Sequence, residues 1–242
     1  MEVFVMKKST GYYNEKVISK FETALKDAVQ LVKSGADTKV RVSAANSKMG
    51  NVVSVSLLPF LTCPGCCAET CGGKCYAAKL ANLRPAVLKS YAINTALVLY
   101  QPKLYWAQVN AAIAGSRFFR FHVSGDIINK AYFHHMVDCA ANNPHCDILV
   151  FTKRYDVVNA WIDSGNKIPA NMHILFSGWD NLQPENPHKL PETNIIPKNE
   201  SSAWWDLDDT FHVCGGNCFN CAIGGAGCWN AKHGETILFP LH

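Results

Sequence analysis

The chain has 242 residues, 48% of them hydrophobic and 17% charged. That is enough apolar material for one sizeable core and too little charge for long solvated tails. The 23 Lys and Arg against 19 Asp and Glu leave a net charge of +4, and with no Lys/Arg run this does not indicate a nucleic-acid partner. The first residues hold no apolar run of signal-peptide length, and no stretch nears the roughly 18 consecutive apolar residues of a membrane span. A cytoplasmic protein with no membrane partner is therefore expected.

Residues 14–33 place Val17, Ile18, Phe21, Leu25, Val29 and Val32 on one face at helical spacing, with Gly35 as a stop. Residues 39–43 and 52–58 alternate like strands, and the residues between them, ending in Met49-Gly50, read as a turn. Residues 77–114 predict one or two helices broken at Pro102. A strand–helix beat follows: strand 118–123, helix 129–141, strand 148–152, helix 155–163, strand 173–177. Such a beat predicts an α/β fold with mostly parallel strands, open or curled into a partial or distorted barrel. Residues 181–209 read as a long irregular excursion containing a short apolar piece, 194–197, and the packing candidates Trp204 and Trp205. The final strand is expected at 236–241. One domain over 1–242 is expected, with 1–36 as an N-terminal helical element and 181–235 as loop plus Cys-rich segment packed on the barrel.

Three predicted strands run into polar residues: His122-Val-Ser-Gly-Asp126, Thr152-Lys-Arg154 and Ser177-Gly-Trp-Asp180. Ligand-binding residues of α/β folds gather at the carboxyl ends of strands. His122 is a candidate proton donor or metal ligand, or else a core histidine. Asp126 can hold a substrate or cap the next helix. Ser124 and Lys153 are candidates for binding a cofactor or an anionic substrate, and Arg154 shares that possibility.

Nine of the 11 cysteines fall in two tight groups: Cys63, Cys66, Cys67, Cys71 and Cys75, then Cys214, Cys218, Cys221 and Cys228. Cys139 and Cys146 stand apart and read as small apolar residues. In a reducing compartment such groups point to metal rather than disulfides. Thiolates converging within about 2.3 Å of a metal need a tightly turning backbone, which glycines supply. Gly65, Gly72 and Gly73 lie in the first group, and Gly215, Gly216, Gly224, Gly225 and Gly227 in the second.

Neither group holds the two CxxC pairs of a zinc ribbon, whereas iron–sulfur sites accept more varied gaps. The second group is a four-thiolate set suited to a closed 4Fe-4S cluster. A three-thiolate centre with one open iron is possible in the first. S-adenosylmethionine enzymes of the radical class bind such an open cluster with CxxxCxxC. Cys67, Cys71 and Cys75 give CxxxCxxxC, and no Gly-Gly-Glu segment follows the next strand, so only the outline of that architecture is shared. The leading expectation is an iron–sulfur protein with one or two clusters and redox or radical chemistry on an unknown small molecule. A zinc-stabilised module acting on a host protein or nucleic acid is the alternative, and a thiol-based redox enzyme a weaker third.

Asn46-Ser-Lys-Met-Gly50, Thr62-Cys-Pro-Gly65, Cys71-xxx-Cys75-Tyr-Ala77, Phe121-His-Val-Ser-Gly-Asp126 and Cys228-Trp229 together resemble the gene product 88 family of phage proteins, over residues 44–242. The resemblance implies a phage or prophage origin and a setting in the host cytoplasm. It also implies Cys63, Cys71, Cys75, Cys214, Cys218, Cys221 and Cys228 as the shared metal ligands, with Cys66 and Cys67 as additions of this chain. The family name carries no activity.

Overall fold

The computed structural model describes residues 11–44, 48–197 and 210–240. Asn14 caps α1 (Glu15–Lys33), its side chain accepting from the Val17 amide, and the helix buries Val17, Phe21, Ala28 and Val32. The strand expected at 39–43 shrinks to β1 (Val42–Ser43). The reason lies in competing partners: the amides of Val40 and Arg41 donate to the side chains of Gln108 and Asn94 rather than to a neighbouring strand. Likewise 52–58 keeps only β2 (Val53–Val55), because the Leu57 amide turns to the Ser124 carbonyl and the Leu58 amide to Thr95 Oγ1.

Residues 77–114 form three helices rather than one or two: α2 (Tyr76–Leu83), α3 (Pro85–Tyr100) and α4 (Pro102–Ala114). Pro85 and Pro102 each occupy a first helical turn, where a missing amide costs nothing. The beat then proceeds as β3 (Phe118–Phe121), α5 (Lys130–Asn142), β4 (Asp147–Thr152), α6 (Tyr155–Asp163) and β5 (Met172–Ser177). The excursion from 181 is not wholly irregular. It contributes β6 (Glu192–Ile196), a parallel strand between β5 and the last one. Trp204 and Trp205 lie outside the described residues. β7 (Phe211–Val213), the short α7 (Cys218–Ile223) and β8 (Thr236–Pro240) complete the order.

The eight strands of the described residues form one sheet in the order β1-β2-β3-β4-β5-β6-β8-β7, parallel throughout except for β1 against β2. β1 and β7 are its two edges, so the barrel is partial and open. Pleating gives each strand two apolar faces. Phe119, Phe121, Ile148, Val150, Ile174 and Phe176 join the helices in the larger core. Phe118, Leu149, Leu175 and Ile237 point the other way, where Met49, Val52 and Trp229 meet them in a second core bordered by Cys214, Cys218, Cys221 and Cys228. The Cys-rich tail thus covers the inner face of the sheet that the helices leave bare. Cys139 and Cys146 are buried in the larger core, as their isolation in the sequence suggests.

Candidate functional site

The first cysteine group follows β2, at the carboxyl-terminal mouth of the sheet. Two 3-10 turns, Gly65–Ala68 and Gly72–Lys74, coil the loop back on itself, and Cys75 closes it as the N-cap of α2, its Sγ 3.4 Å from the Ala78 amide. Gly72 is required where it stands: a Cβ there would lie 2.5 Å from the Cys67 carbonyl oxygen and 2.9 Å from the Tyr13 ring. The coil brings the thiols of Cys63, Cys66 and Cys71 to hydrogen-bond with Cys67. The Cys67 thiol is raised by those three neighbours and by burial. Its hydrogen bond, assisted by the Lys153 ammonium, pulls Cys66 down to about 7. The same two influences, with Thr70, bring Cys71 to about 6. Cys75 stands slightly apart, and burial pushes it up to about 12. Cys67, which the family resemblance sets aside, is the hub of the group.

The mouth is assembled from three strand ends. Asp126, after β3, is buried and accepts from the amides of Ile127 at 2.7 Å and Lys153 at 2.8 Å and from Thr152 Oγ1 at 2.6 Å. Burial raises its carboxyl, and these three donors work against that rise. It does not cap the next helix. The cap of α5 is Asn129, and Asp126 staples the end of β3 to the end of β4. The Lys153 ammonium sits 5.9 Å from the centre of the Trp179 ring and acts on the thiols of Cys66 and Cys71. Arg154 is occupied elsewhere, holding Asp156 with two hydrogen bonds and the Ile127 and Ile128 carbonyls. From the end of β5, Asn181 donates to the Glu69 carbonyl at 3.0 Å and ties that loop to the cysteine coil.

His122 has φ of 60°, which ends β3 at Phe121, two residues short of the expected 123, and swings the ring out of the strand alternation onto the helix side. There Nε2 meets the Tyr132 hydroxyl at 2.9 Å, which in turn meets Tyr105 at 3.0 Å. Burial, with Arg120 nearby, lowers the imidazole to about 3, so it is neutral at ordinary pH. This is the setting of a core histidine. Its Nδ1 and the buried Ser124 Oγ have no hydrogen-bond partner among the described residues.

The second group lies across the inner face. Cys214 follows β7, its amide bonded to the Leu238 carbonyl at 2.8 Å. Asn217 caps α7, and the amides of Cys218 and Phe219 bond to the carbonyls of Lys48 and Met49. Gly50, at φ of 60°, leaves room for this docking: a Cβ would fall 2.5 Å from Phe219 Cβ. Trp229 seals the group, its indole N–H on the Cys218 carbonyl at 3.0 Å and its ring against Phe118 and His173. Burial, and the charges of its three neighbours in the group, raise the Cys228 thiol, against the pull of Arg120. Between the groups stands Tyr76, whose hydroxyl donates to the Val123 carbonyl at 2.5 Å and faces Cys75, Cys218 and Arg120. Arg120 was missed in the sequence, although an arginine at an inward position of an apolar strand is itself a signal.

Among the described residues, no group of three or more His, Cys, Asp or Glu side chains stands at the mutual spacing that closes on a single metal ion. None of the described helices is long and apolar enough to cross a membrane. Residues 23–221 match the family described as gene product 88, a span that begins within α1 and ends at Cys221, short of Cys228 and Trp229. No curated protein and no solved structure matches the chain.

Proposed function

The chain belongs to the gene product 88 family of phage proteins, and we propose that it is an iron–sulfur-binding protein whose reactive thiol centre lies at the mouth of its partial barrel. One observation carries the reading: Cys63, Cys66, Cys67 and Cys71 converge, with Cys75 beside them, at the carboxyl ends of parallel strands. That is where α/β folds bind what they act on. The donor set fits, since soft thiolates without carboxylates select iron–sulfur clusters, zinc or copper(I).

In this reading Cys63, Cys71 and Cys75 hold the first centre and Cys214, Cys218, Cys221 and Cys228 the second. A 4Fe-4S cluster supplies one-electron chemistry and, where only three thiolates hold it, an open coordination position. The protein's own groups do the rest. Lys153 sets a positive charge over the first thiols and can receive an anionic group of a small molecule, against the Trp179 face. Asp126 acts by position, keeping the Lys153 backbone fixed with respect to β3. His122 acts the same way, as a neutral brace for Tyr132. Tyr13 covers the coil from the far side, its hydroxyl raised by burial and by the Cys67 and Cys63 thiols.

The test is anaerobic purification followed by iron, sulfide, zinc and absorption analysis of one sample. Equal iron and sulfide with a broad visible absorption supports the reading, and their amounts distinguish one cluster from two. A colourless protein holding only zinc overturns it and favours a zinc-stabilised module that binds a host partner.

A further inference from the structure

Arg120 is out of keeping with its surroundings. It sits mid-strand in β3, in register with Ser54 and Leu149, on the inner face. Nη1 lies 3.5 Å from Met49 Sδ and 4.0 Å from Cys218 Sγ, and the guanidinium stacks 4.5 Å from the Phe151 ring centre. Its Nε is buried without a hydrogen-bond partner, and no carboxylate pairs with it among the described residues. A guanidinium cannot shed its proton, and a partly desolvated charge with no counter-charge is costly. The groups it does face are Cys218, Cys228 and the Tyr76 hydroxyl. Four neutral thiols offer it almost nothing. Metal-bound cysteines are deprotonated outright, and four of them around a divalent ion carry an excess of two negative charges.

We propose that Arg120 is the charge-balancing and positioning residue of a four-thiolate metal centre formed by Cys214, Cys218, Cys221 and Cys228, donating to the Cys218 sulfur and offsetting the negative charge of the centre. This rests on the metal-binding reading of the second group, whose four thiols do not stand at the spacing of a bound ion in this structure and would have to draw in around it, but not on the metal being iron. Metal-bound sulfurs accept N–H hydrogen bonds, and such outer partners set affinity and potential. Trp229 excludes water from one side of the group, which lengthens the reach of the arginine's charge. The Tyr76 hydroxyl, placed between Cys75 and Cys218, puts the same cation within influence of the first group.

Cobalt(II) is the probe. The full-length chain, reduced and metal-free, is titrated anaerobically, and the thiolate-to-cobalt absorption that Cys218→Ser/Cys221→Ser removes is assigned to the second group. Arg120→Met keeps an unbranched apolar stem and loses the charge and the N–H donors, whereas Arg120→Lys keeps the charge and a donor. The methionine variant is expected to bind cobalt at that site about tenfold more weakly or worse. The lysine variant should stay within about threefold of wild type, because charge is what matters. Arg120→Gln, which retains an N–H donor, serves if the methionine variant does not fold, and is also expected to lose about tenfold.

If the centre proves to be iron–sulfur, loss of the cation should lower its reduction potential. A tenfold change in the oxidised-to-reduced ratio corresponds to about 59 mV for one electron. Equal cobalt affinity in wild type, Lys and uncharged variants overturns the proposal, as does equal loss in all of them, which marks a role of shape alone. A wild type with no cobalt band sensitive to Cys218→Ser/Cys221→Ser overturns both this proposal and the metal reading of that group. Iron and sulfide analysis fails or succeeds separately and judges the first centre.

Discussion

The two cysteine groups are built on opposite plans. The first is a single coil of backbone lying on the ends of strands, with a lysine above it and polar strand ends around it. The second is spread over a strand end, a short helix and a 3-10 turn, and is laid across an apolar sheet face under Trp229 and Phe219. The first lies at the carboxyl-terminal mouth of the sheet, within reach of the Lys153 ammonium. The second is placed where removing it exposes a hydrophobic face. The second thereby takes part in closing the core.

The largest expected effect lies on the inner face. Trp229→Ala removes the ring that covers Phe118, Leu149 and Leu175, and should cost about 3–5 kcal/mol in urea unfolding. A cost near zero breaks the claim that the second group closes the core. Next comes the dock. Gly50→Ala forces a Cβ against Phe219 at a positive φ and is expected to cost about 1–3 kcal/mol. Alkylation of Cys218 and Cys221 should accelerate in this variant while Cys63 to Cys75 react as before. Equal acceleration in both groups contradicts their independence.

At the mouth, Asp126→Asn keeps the shape but turns one acceptor into a donor facing an N–H. The expected cost is about 1–3 kcal/mol, with Lys153 no longer held over the thiols. A faithful readout is the thiolate absorbance of the metal-free protein near neutral pH, which should fall, because the Lys153 charge acts on Cys66 more strongly than the opposing Asp126 charge that the variant also removes. The smallest effect is on the brace. Tyr132→Phe takes the hydroxyl from between His122 and Tyr105 and should cost about 0.5–1.5 kcal/mol.

His122 also carries a pH dependence with a definite sign. Its imidazole is lowered to about 3 in the folded chain, while the unfolded chain takes up the proton near pH 6.5. Below that pH the unfolded state binds more protons, so stability present above about 6.5 is lost as pH falls toward about 3. His122→Asn, which tolerates the left-handed backbone, should flatten this acid loss in unfolding curves taken between pH 7 and pH 4. An unchanged slope removes His122 as its source.

The periodicity of 14–33, the strand–helix beat from 118 onward and the polar strand ends were legible in the sequence because each depends on neighbours a few residues apart. The same holds for the grouping of nine cysteines and for the glycines that let them turn. Strand lengths at 39–43 and 52–58 were not legible. Their amides are claimed by Gln108, Asn94, Thr95 and Ser124, partners 37 to 68 residues away, and hydrogen bonds of that reach leave no mark in local pattern. The strand at Glu192–Ile196 was hidden for the same reason, since pairing with β5 and β8 makes it a strand more than its composition does.

The candidate site divides along the same line. Residue type and spacing alone determined that thiols converge in two groups on an α/β scaffold. Only the tertiary structure decided that Cys67 is the hub, that Asp126 is a staple, that His122 turns into the core, and that Arg120 from the sheet meets Cys218 from the tail. Thiol chemistry is a property of the side chain and survives in any sequence reading. Charge balance is a property of what stands opposite, and that is fixed only when strand 118–121 and the segment from 214 onward fold against the same face.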